Sequence, residues 1–303
     1  MRILEIDNVV KNYQGGSYLR PKKVQALKGV SLHVEKGECL AVVGESGSGK
    51  STIGRIAIGL ELPSSGHILY QGEELDARHI DRRARQALQM VYQNSYEATN
   101  PRFTARQVIE EPIRYFKLKS RAQRDAYINE LLYKVGIPAI EAGKKTTEFS
   151  GGQLQRICIA RAIAADPELI VLDEPLSGLD ISVQAQILNL LKKLKLEYGL
   201  SYLMISHDIE AVYNLSDRVM VMYNGRVVEE IDDIEKFGNM CHPYTKLLTG
   251  ADLSVSGYQD KEEDTAGCVY ANRCQKACVN CFKTVPELKE IEPGHKVACH
   301  QIN

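Results

Sequence analysis

The chain has 303 residues, 44% hydrophobic and 25% charged, and its 38 basic and 39 acidic residues leave a formal net charge of -1 at pH 7. This balance argues against a nucleic acid partner, because binding to phosphate backbones favours clustered Lys and Arg. No run approaches the roughly 18 uninterrupted apolar residues of a membrane span, and the alternating opening Met1–Asp7 predicts a strand rather than a secretion signal. We therefore expect a globular cytoplasmic chain of one or two domains.

A glycine-rich segment follows the first buried strand, which is predicted over Cys39–Val43. The segment Gly44–Ser51 reads GESGSGKS and matches G-x-x-x-x-G-K-[ST], in which backbone N–H groups surround a phosphate. The N-terminus of the following helix, predicted over Ile53–Leu60, adds partial positive charge. We predict that Lys50 reaches the terminal phosphates and that Ser51 binds Mg²⁺. The nucleotide-binding residues predicted in this segment are Gly44, Glu45, Ser46, Gly47, Ser48, Gly49, Lys50, Ser51 and Thr52.

A pair of carboxylates ends a second apolar strand. The run Leu169–Leu172 is followed by Asp173 and Glu174. A carboxylate at the end of a strand can hold Mg²⁺ through water, while its neighbour can orient or deprotonate an attacking water. Phosphoryl transfer depends on such positioning and charge neutralisation. We predict that Asp173 is the metal-side acid and Glu174 the catalytic base.

Three zones follow from the pattern of strands and helices. We predict an α/β core from residues 1–92 and 166–240, a helical zone over 93–165, and a C-terminal extension over 241–303. Within these zones the apolar spacing and an Asn-Gly turn predict further elements. They are the helices Arg121–Val135 and Val183–Tyr198 and a hairpin of Val219–Met222 with Arg226–Glu229.

Cysteines crowd the end of the chain. Five of the eight lie in the last 36 residues, namely Cys268, Cys274, Cys278, Cys281 and Cys299. Cytosolic proteins rarely keep structural disulfides, so this set predicts an iron–sulfur or zinc site, with unligated thiols as the alternative. Spacing does not separate iron–sulfur from zinc. His242, His295 and His300 are further candidate ligands.

The extension itself is small. A polar linker is predicted over Leu253–Gly267, which would leave a satellite of about forty residues, a size that usually needs a staple to fold. A metal could be that staple.

The segment Ser150–Arg156, which reads SGGQLQR, resembles the signature loop of ATP-binding-cassette (ABC) proteins, and the other motifs of that family occur in order. The resemblance implies that Gln93 is the Q-loop glutamine, that Asp180 belongs to the D-loop, and that His207 is the switch histidine that contacts the γ-phosphate. It also implies that Tyr13 stacks on adenine. The implied signature residues are Ser150, Gly151, Gly152 and Gln153.

This resemblance implies a fold, a catalytic set and a dimer. The implied fold is α/β, a P-loop NTPase cassette core with a RecA-like sheet, an antiparallel β region, a helical subdomain and the cysteine-rich extension. The catalytic residues would be Glu174, His207 and Gln93, and the residues at Mg²⁺ would be Ser51, Gln93 and Asp173. Because the family places the signature across from the phosphate loop of a second subunit, two chains would pair head to tail around two ATP molecules.

Three further segments resemble one branch of the family. Asn100–Arg102, Asp180–Gln186 and Cys241–Thr245 resemble importers of oligopeptides, dipeptides and nickel, and within them the second of two ATPase subunits. The resemblance implies an ATPase at the cytoplasmic face of the membrane that powers import of peptides, a nickel complex or a related small solute. Its implied partners are a sister ATPase or a second copy of the chain, two membrane permease subunits, and an extracytoplasmic substrate-binding protein.

The extension also resembles that of the same branch. The resemblance implies that Cys268, Cys274, Cys281 and Cys299 hold a [4Fe–4S] cluster, with zinc as the alternative. Two departures leave the ligand set open: Gln275 replaces the proline that follows the second cysteine, and Cys278 is an additional thiol and an alternative ligand.

Other classes of protein compete with the importer. A soluble cassette ATPase of translation, DNA repair or chromosome handling usually has two cassettes or a long coiled-coil insertion, which this sequence lacks. A redox or metal sensor with a dead nucleotide site would be expected to have lost Lys50, Glu174 or His207. Exporter cassettes are usually fused to membrane helices.

Overall fold

The computed structural model describes residues 1–17, 20–76, 78–250 and 266–302. The predicted linker Leu253–Gly267 lies outside the described residues except for its last two. The described strands are β1 Arg2–Ser17, β2 Arg20–Glu35, β3 Cys39–Val43, β4 Ser65–Tyr70, β5 Glu73–Glu74, β6 Leu88–Val91, β7 Leu169–Asp173, β8 Ser201–Ser206, β9 Arg218–Tyr223, β10 Arg226–Ile231, β11 Lys289–Glu292 and β12 His295–Val297. The described helices are α1 Lys50–Ala57, α2 Arg82–Ala87, α3 Ala105–Phe116, α4 Arg121–Lys134, α5 Gly151–Ile163, α6 Ile181–Tyr198, α7 Ile209–Leu215, α8 Pro243–Leu248 and α9 Val279–Lys283.

The main sheet has the strand order β11-β12-β10-β9-β3-β8-β7-β6. Strands β9, β3, β8, β7 and β6 run parallel, and β10, β12 and β11 continue the sheet antiparallel. The loops that carry the predicted phosphate-binding and catalytic residues leave β3, β7 and β8. Because these strands are parallel neighbours, all three loops emerge at the same edge of the sheet.

Both faces of the main sheet are buried, as parallel strands require. In β3, Ala41 packs into the apolar cluster on one face, whereas its neighbours Leu40 and Val42 pack into the cluster on the other. The first cluster contains the helical zone and buried residues of the extension. The second contains α1 and the smaller antiparallel sheet, whose strand order is β2-β1-β4-β5. The predicted α/β core with an antiparallel β region is confirmed.

Several predicted elements are confirmed with changed ends. The helix after the phosphate loop spans Lys50–Ala57 rather than Ile53–Leu60. It begins early because Gly49, with φ of +102°, turns the chain into the helix at once, and it ends early because Gly59, with φ of +68°, follows. The hairpin has the predicted turn, with Asn224 and Gly225 both at positive φ.

The extension is continuous with the core, so the predicted separate satellite is wrong. Strand β12 pairs with β10, in the register Glu229 with Val297 and Ile231 with His295, and makes the end of the extension part of the main sheet. The turn before β12 contains Gly294 at φ of +76°. Pairing with a formed sheet edge satisfies the backbone groups of strands too short to be stable alone. The zone boundaries predicted at residues 92, 165 and 240 stay predictions.

Among the described helices, none combines the length and the apolar character that a membrane crossing requires.

Candidate active site

Two glycines of the phosphate loop, Gly44 and Gly49, pack closely against the main chain of neighbouring strands. A Cβ atom on Gly44 would lie 2.2 Å from the carbonyl oxygen of Met222, and one on Gly49 would lie 2.6 Å from that of Ala26. No side chain fits at either position without moving main chain. The main chains of β9 and of the middle of β2 therefore pack directly against the loop, which explains why glycine is needed at these two positions.

Lys50 lies inside the loop. Its Nζ donates hydrogen bonds to the carbonyl oxygens of Gly44 and Glu45 at 2.7 and 2.8 Å, and the residue is 6% exposed. Burial lowers the pKa of Lys50, and the charges of Glu174 and Asp173 oppose that effect. A buried ammonium group at this position is a counter-charge for the terminal phosphates of a nucleotide.

The Mg²⁺ edge of the site joins α1 to the end of β7. The Ser51 hydroxyl donates a 2.8 Å hydrogen bond to Oδ1 of Asp173. Burial raises the pKa of Asp173, and the Ser51 hydrogen bond opposes this. Hydroxyl and carboxylate oxygens are the ligands that Mg²⁺ prefers, so the pair fits the predicted metal edge.

The predicted base and switch histidine are in direct contact. Nδ1 of His207 lies 2.7 Å from Oε2 of Glu174. Glu174 itself adopts a left-handed backbone conformation with φ of +48°, and its N–H donates to the carbonyl of Ile205 in β8. Non-glycine residues in this region cost about 1–3 kcal/mol and cluster at functional sites. The conformation directs a carboxylate that is only 11% exposed toward the phosphate loop.

These groups line one open cleft of about 580 Å³. Its walls bring together the phosphate loop, Gln93, Glu174 and His207, with Ala26 and Leu248 as additional apolar contacts. Four segments that are far apart in the sequence therefore line the same cleft, and their catalytic roles stay predictions. The arrangement supplies a cation, a Mg²⁺ edge and a carboxylate that can act as a base around one phosphate position.

Tyr13 lies beside this cleft rather than in its wall. Its hydroxyl is 3.3 Å from Oγ1 of Thr52, and the ammonium of Lys11 lies 5.1 Å from the centre of its ring. The ring is thus at the start of α1, next to the phosphate loop. Stacking of Tyr13 on adenine stays a prediction.

The signature residues are not in the same cleft. Ser150 caps α5 by accepting a 3.3 Å hydrogen bond from the N–H of Gln153, and Oε1 of Gln153 accepts one from the N–H of Ser150. Gly151 lines a separate cleft of about 500 Å³ together with Ser177 and Gly178 of the D-loop region. Asp180 is the exposed residue that precedes α6. A single chain therefore does not bring its signature to its own phosphate loop.

Two residues of the extension contact the phosphate loop, and sequence reasoning did not assign them to the site. The hydroxyl of Tyr244 accepts a 2.7 Å hydrogen bond from the N–H of Glu45. Arg273 donates two hydrogen bonds to the carboxylate of the same residue, at 2.7 and 3.2 Å. Tyr244 lies in the segment Cys241–Thr245, which resembles the importer branch, so the sequence did mark this residue as one of interest. Arg273 precedes Cys274 and matches the tail pattern of the resembled importer branch, but that pattern did not indicate a contact with the phosphate loop.

The five cysteines of the extension lie within electrostatic reach of one another. The Sγ atoms of Cys278 and Cys281 are 3.5 Å apart, and the N–H of Cys268 donates to the carbonyl of Cys281 at 2.7 Å. Burial, together with the smaller effects of the neighbouring thiols Cys281, Cys299 and Cys274, raises the pKa of the Cys268 thiol to about 11. A bound cation would relieve this repulsion and favour the thiolates.

A different group of possible metal ligands is already hydrogen-bonded. Within the described residues, the three side chains whose ligand atoms all lie within 4.8 Å of each other are Glu229, Cys241 and His295. The fully buried Glu229 carboxylate accepts from the N–H groups of Cys241 and His242, at 2.7 and 3.2 Å, and lies 2.8 Å from Nε2 of His295. It thereby ties β10, the segment before α8 and β12 together. The arrangement explains how the extension is docked on the core.

The other two candidate histidines are also engaged. Burial lowers the pKa of His242 to about 4, and its Nδ1 accepts a hydrogen bond from the N–H of Tyr244. Nε2 of His300 lies 2.9 Å from the carbonyl of Thr284. Their use as cluster ligands has no support in these contacts.

Comparison with known proteins identifies close relatives over the full length. A family model described as "ABC transporter" matches residues 27–177. The oligopeptide transport ATP-binding protein AppF of Bacillus subtilis is 42% identical, over 98% of this chain and 97% of its own. The dipeptide transport ATP-binding protein DppF of Escherichia coli is 38% identical, over 99% of this chain and 95% of its own.

Solved structures share the fold. A dimeric structure of the ATP-binding cassette MJ0796, in a post-hydrolysis state bound to ADP and Pi, matches with a TM-score of 0.67 and 30% identity, over 75% of this chain and 97% of that one. The protein cbiO1 of Clostridium perfringens, part of the transporter complex cbiONQ, matches with a TM-score of 0.65 and 29% identity, over 78% of this chain and 91% of that one.

Proposed function

The chain belongs to the ATP-binding cassette family and is an ATPase, and from this premise we propose that it powers a membrane importer of peptides or of a related small solute such as a nickel complex. The observation that carries the proposal is the cleft lined by Lys50, Ser51 and the Glu174–His207 pair, with Asp173 hydrogen-bonded to Ser51. The identity of the cargo rests on relatives that are named as oligopeptide and dipeptide transport proteins.

We place the contact with the membrane subunits at a groove beside the helical zone. The groove has a volume of about 1000 Å³. The Q-loop glutamine Gln93 lines both this groove and the nucleotide cleft, so a movement of the Q-loop would change both. Its wall includes the ring of Tyr115, whose residue is 58% exposed, and Phe103 and Pro112. The wall also carries charged residues such as Glu97, Glu111 and Arg161, and this mixed surface suits a short amphipathic helix of a permease subunit. We propose two permease subunits and an extracytoplasmic substrate-binding protein as partners, with the chain at the cytoplasmic face of the membrane.

Transport itself is the test of this function. In cells that lack the chain, uptake of labelled dipeptides, oligopeptides or nickel should fall to background, and the wild-type chain should restore one of them while the Glu174→Gln variant does not. Uptake of free amino acids is the control for general energy supply. The matched control variant is Glu210→Gln, which removes an exposed carboxylate from the first turn of α7 and should restore uptake. If none of the three cargo classes depends on the chain, the importer proposal is wrong.

The working ATPase is proposed to be a dimer, because none of the signature residues lines the phosphate-loop cleft of the same chain. Pairing two chains head to tail would place the N-terminus of α5, with Ser150 and Gly151, against the phosphates bound by the other chain. Helix N-termini stabilise anions through their free N–H groups and their dipole. A sister ATPase is the proposed partner, and a second copy of this chain is the alternative.

We propose further that the extension holds a [4Fe–4S] cluster through Cys268, Cys274, Cys281 and Cys299. A tetrahedral zinc site, with Zn–S bonds of about 2.3 Å, separates its sulfur atoms by about 3.8 Å. Within the described residues, no three thiols of the extension have sulfur atoms that all lie within 4.8 Å of one another, and the sulfur atoms of Cys278 and Cys281 are 3.5 Å apart. A cluster, whose thiolates bind different irons, accommodates the wider spacing. Such a cluster would stabilise the small extension.

Metal content tests this assignment. Protein purified without oxygen is expected to contain about four iron and four acid-labile sulfide per chain, with visible absorption that is lost in Cys274→Ser. Cys158→Ala is the matched control, since Cys158 is buried in α5. Comparing Cys278→Ser with Cys281→Ser identifies which of that pair is a ligand. About one zinc per chain, or no metal, would overturn the cluster and leave the ATPase unchanged.

A further inference from the structure

A cation from the cysteine-bearing extension reaches into the nucleotide site. Arg273 makes a two-pronged contact with Glu45, with NH1 at 2.7 Å from Oε2 and NH2 at 3.2 Å from Oε1. The guanidinium also lies 5.7 Å from the ring centre of Tyr223 and 5.9 Å from that of Tyr270. Planar guanidinium groups suit such paired contacts with carboxylates and aromatic faces.

Glu45 is the second residue of the phosphate loop, and its main chain is part of the site. Its carbonyl oxygen accepts a 2.8 Å hydrogen bond from Nζ of Lys50, and its N–H donates to the hydroxyl of Tyr244 at 2.7 Å. The residue lines the same cleft as Glu174 and His207. The carboxylate of Glu45 is therefore fixed close to the position of the phosphates.

A carboxylate at this position opposes the function of the loop. ATP carries several negative charges, and an uncompensated carboxylate nearby would repel them through a partly desolvated cleft. Lys50 cannot compensate Glu45 without giving up its own role toward the phosphates. Arg273 supplies the missing positive charge from outside the loop.

We propose that Arg273 is a positioning residue of the nucleotide site, which neutralises Glu45 so that the phosphate loop can receive an anionic triphosphate. The nucleotide site is thus completed by the extension as well as by the core. This inference rests on ATP binding by the phosphate loop and is independent of the cargo and of the metal in the extension.

A short turn between two cysteines of the extension places Arg273 next to Glu45. Arg273 ends a short 3-10 turn, Ala271–Arg273, that lies between Cys268 and Cys274. The N–H of Ala271 donates to the carbonyl of Cys268, and that of Cys274 donates to the carbonyl of Ala271. The turn that presents the guanidinium is therefore held to its two flanking cysteines by backbone hydrogen bonds.

A double-mutant cycle tests the proposal, with the ATP dissociation constant measured on the full chain and kcat on the assembled transporter. Arg273→Gln should raise the dissociation constant about 3- to 10-fold, with less change near 1 M salt, because one partly screened charge is lost. Its kcat at saturating ATP should stay within about twofold of wild type, since Glu174 and His207 are untouched. Glu45→Gln alone should bind ATP more tightly, and adding Glu45→Gln to Arg273→Gln should restore the affinity.

Two controls separate charge from folding. Lys289→Gln removes another cation of the extension, in β11, and should leave the affinity unchanged. Arg273→Lys keeps the charge without the paired geometry and should bind ATP nearly as well as wild type. A folding defect in Arg273→Gln would not be corrected by adding Glu45→Gln, whereas a charge defect would. The proposal is therefore overturned if the double variant binds ATP as weakly as Arg273→Gln does. It is also overturned if Arg273→Gln binds ATP as tightly as wild type does. Failure of the wild-type chain to bind ATP would instead refute the nucleotide site itself.

Discussion

Glu174→Gln is expected to slow ATP hydrolysis about 100- to 10,000-fold while ATP still binds. The amide is nearly isosteric with the carboxylate and can still lie against Nδ1 of His207, which is 2.7 Å from Oε2 of Glu174. The variant loses the charge and the basicity that orient and deprotonate the attacking water. Because Lys50 and the Ser51–Asp173 pair are unchanged, the affinity for ATP should be retained.

Phosphate release from the assembled transporter at saturating ATP measures the effect, together with ATP binding to the isolated chain. The matched control is Glu210→Gln, which lies three residues beyond His207 in sequence and is exposed to solvent. It should hydrolyse ATP at the wild-type rate. Near-normal turnover in Glu174→Gln would remove Glu174 from the role of base, whereas loss of ATP binding would mean that the substitution disturbs the phosphate loop.

Part of the candidate site could be predicted from local rules, whereas Gln93 and His207 were assigned by the family resemblance. The strand–loop–helix motif identified Lys50 and Ser51, and the acidic pair at the end of an apolar strand identified Asp173 and Glu174. The positions of these residues can be inferred from the residues next to them in sequence, because the motif spacing and the apolar strand pattern are local. The start of α1 was less predictable, since the backbone freedom of Gly49 decided it.

Contacts between distant segments were out of reach of the same reasoning. Tyr244 and Arg273 approach Glu45 across 199 and 228 residues. The docking of the extension on β10 was also missed, because β11 and β12 are too short to show a strand period. The Pro293-Gly294 pair was a readable turn signal, but it does not say which sheet the hairpin joins.

The second large effect expected concerns the signature. Ser150→Arg should lower hydrolysis by the assembled transporter about 100- to 1,000-fold, because a long cation at the N-terminus of α5 displaces the N–H groups that stabilise phosphate in the partner's site. The isolated chain should bind ATP as well as wild type, since its own Lys50 lies in another cleft. The two measurements together report whether Ser150 acts on the other subunit.

Ser120→Arg is the control for the lost helix cap. Ser120 precedes α4 as Ser150 precedes α5, and its N–H likewise donates to the side chain of the residue three positions on, Gln123, at 3.2 Å. The same substitution there replaces the N-cap residue of a helix, at a cost on the order of 1 kcal/mol, without touching a nucleotide. Hydrolysis by Ser120→Arg should therefore match wild type. If Ser150→Arg instead weakens ATP binding by the isolated chain, signature and phosphate loop act within one subunit and the head-to-tail dimer is wrong.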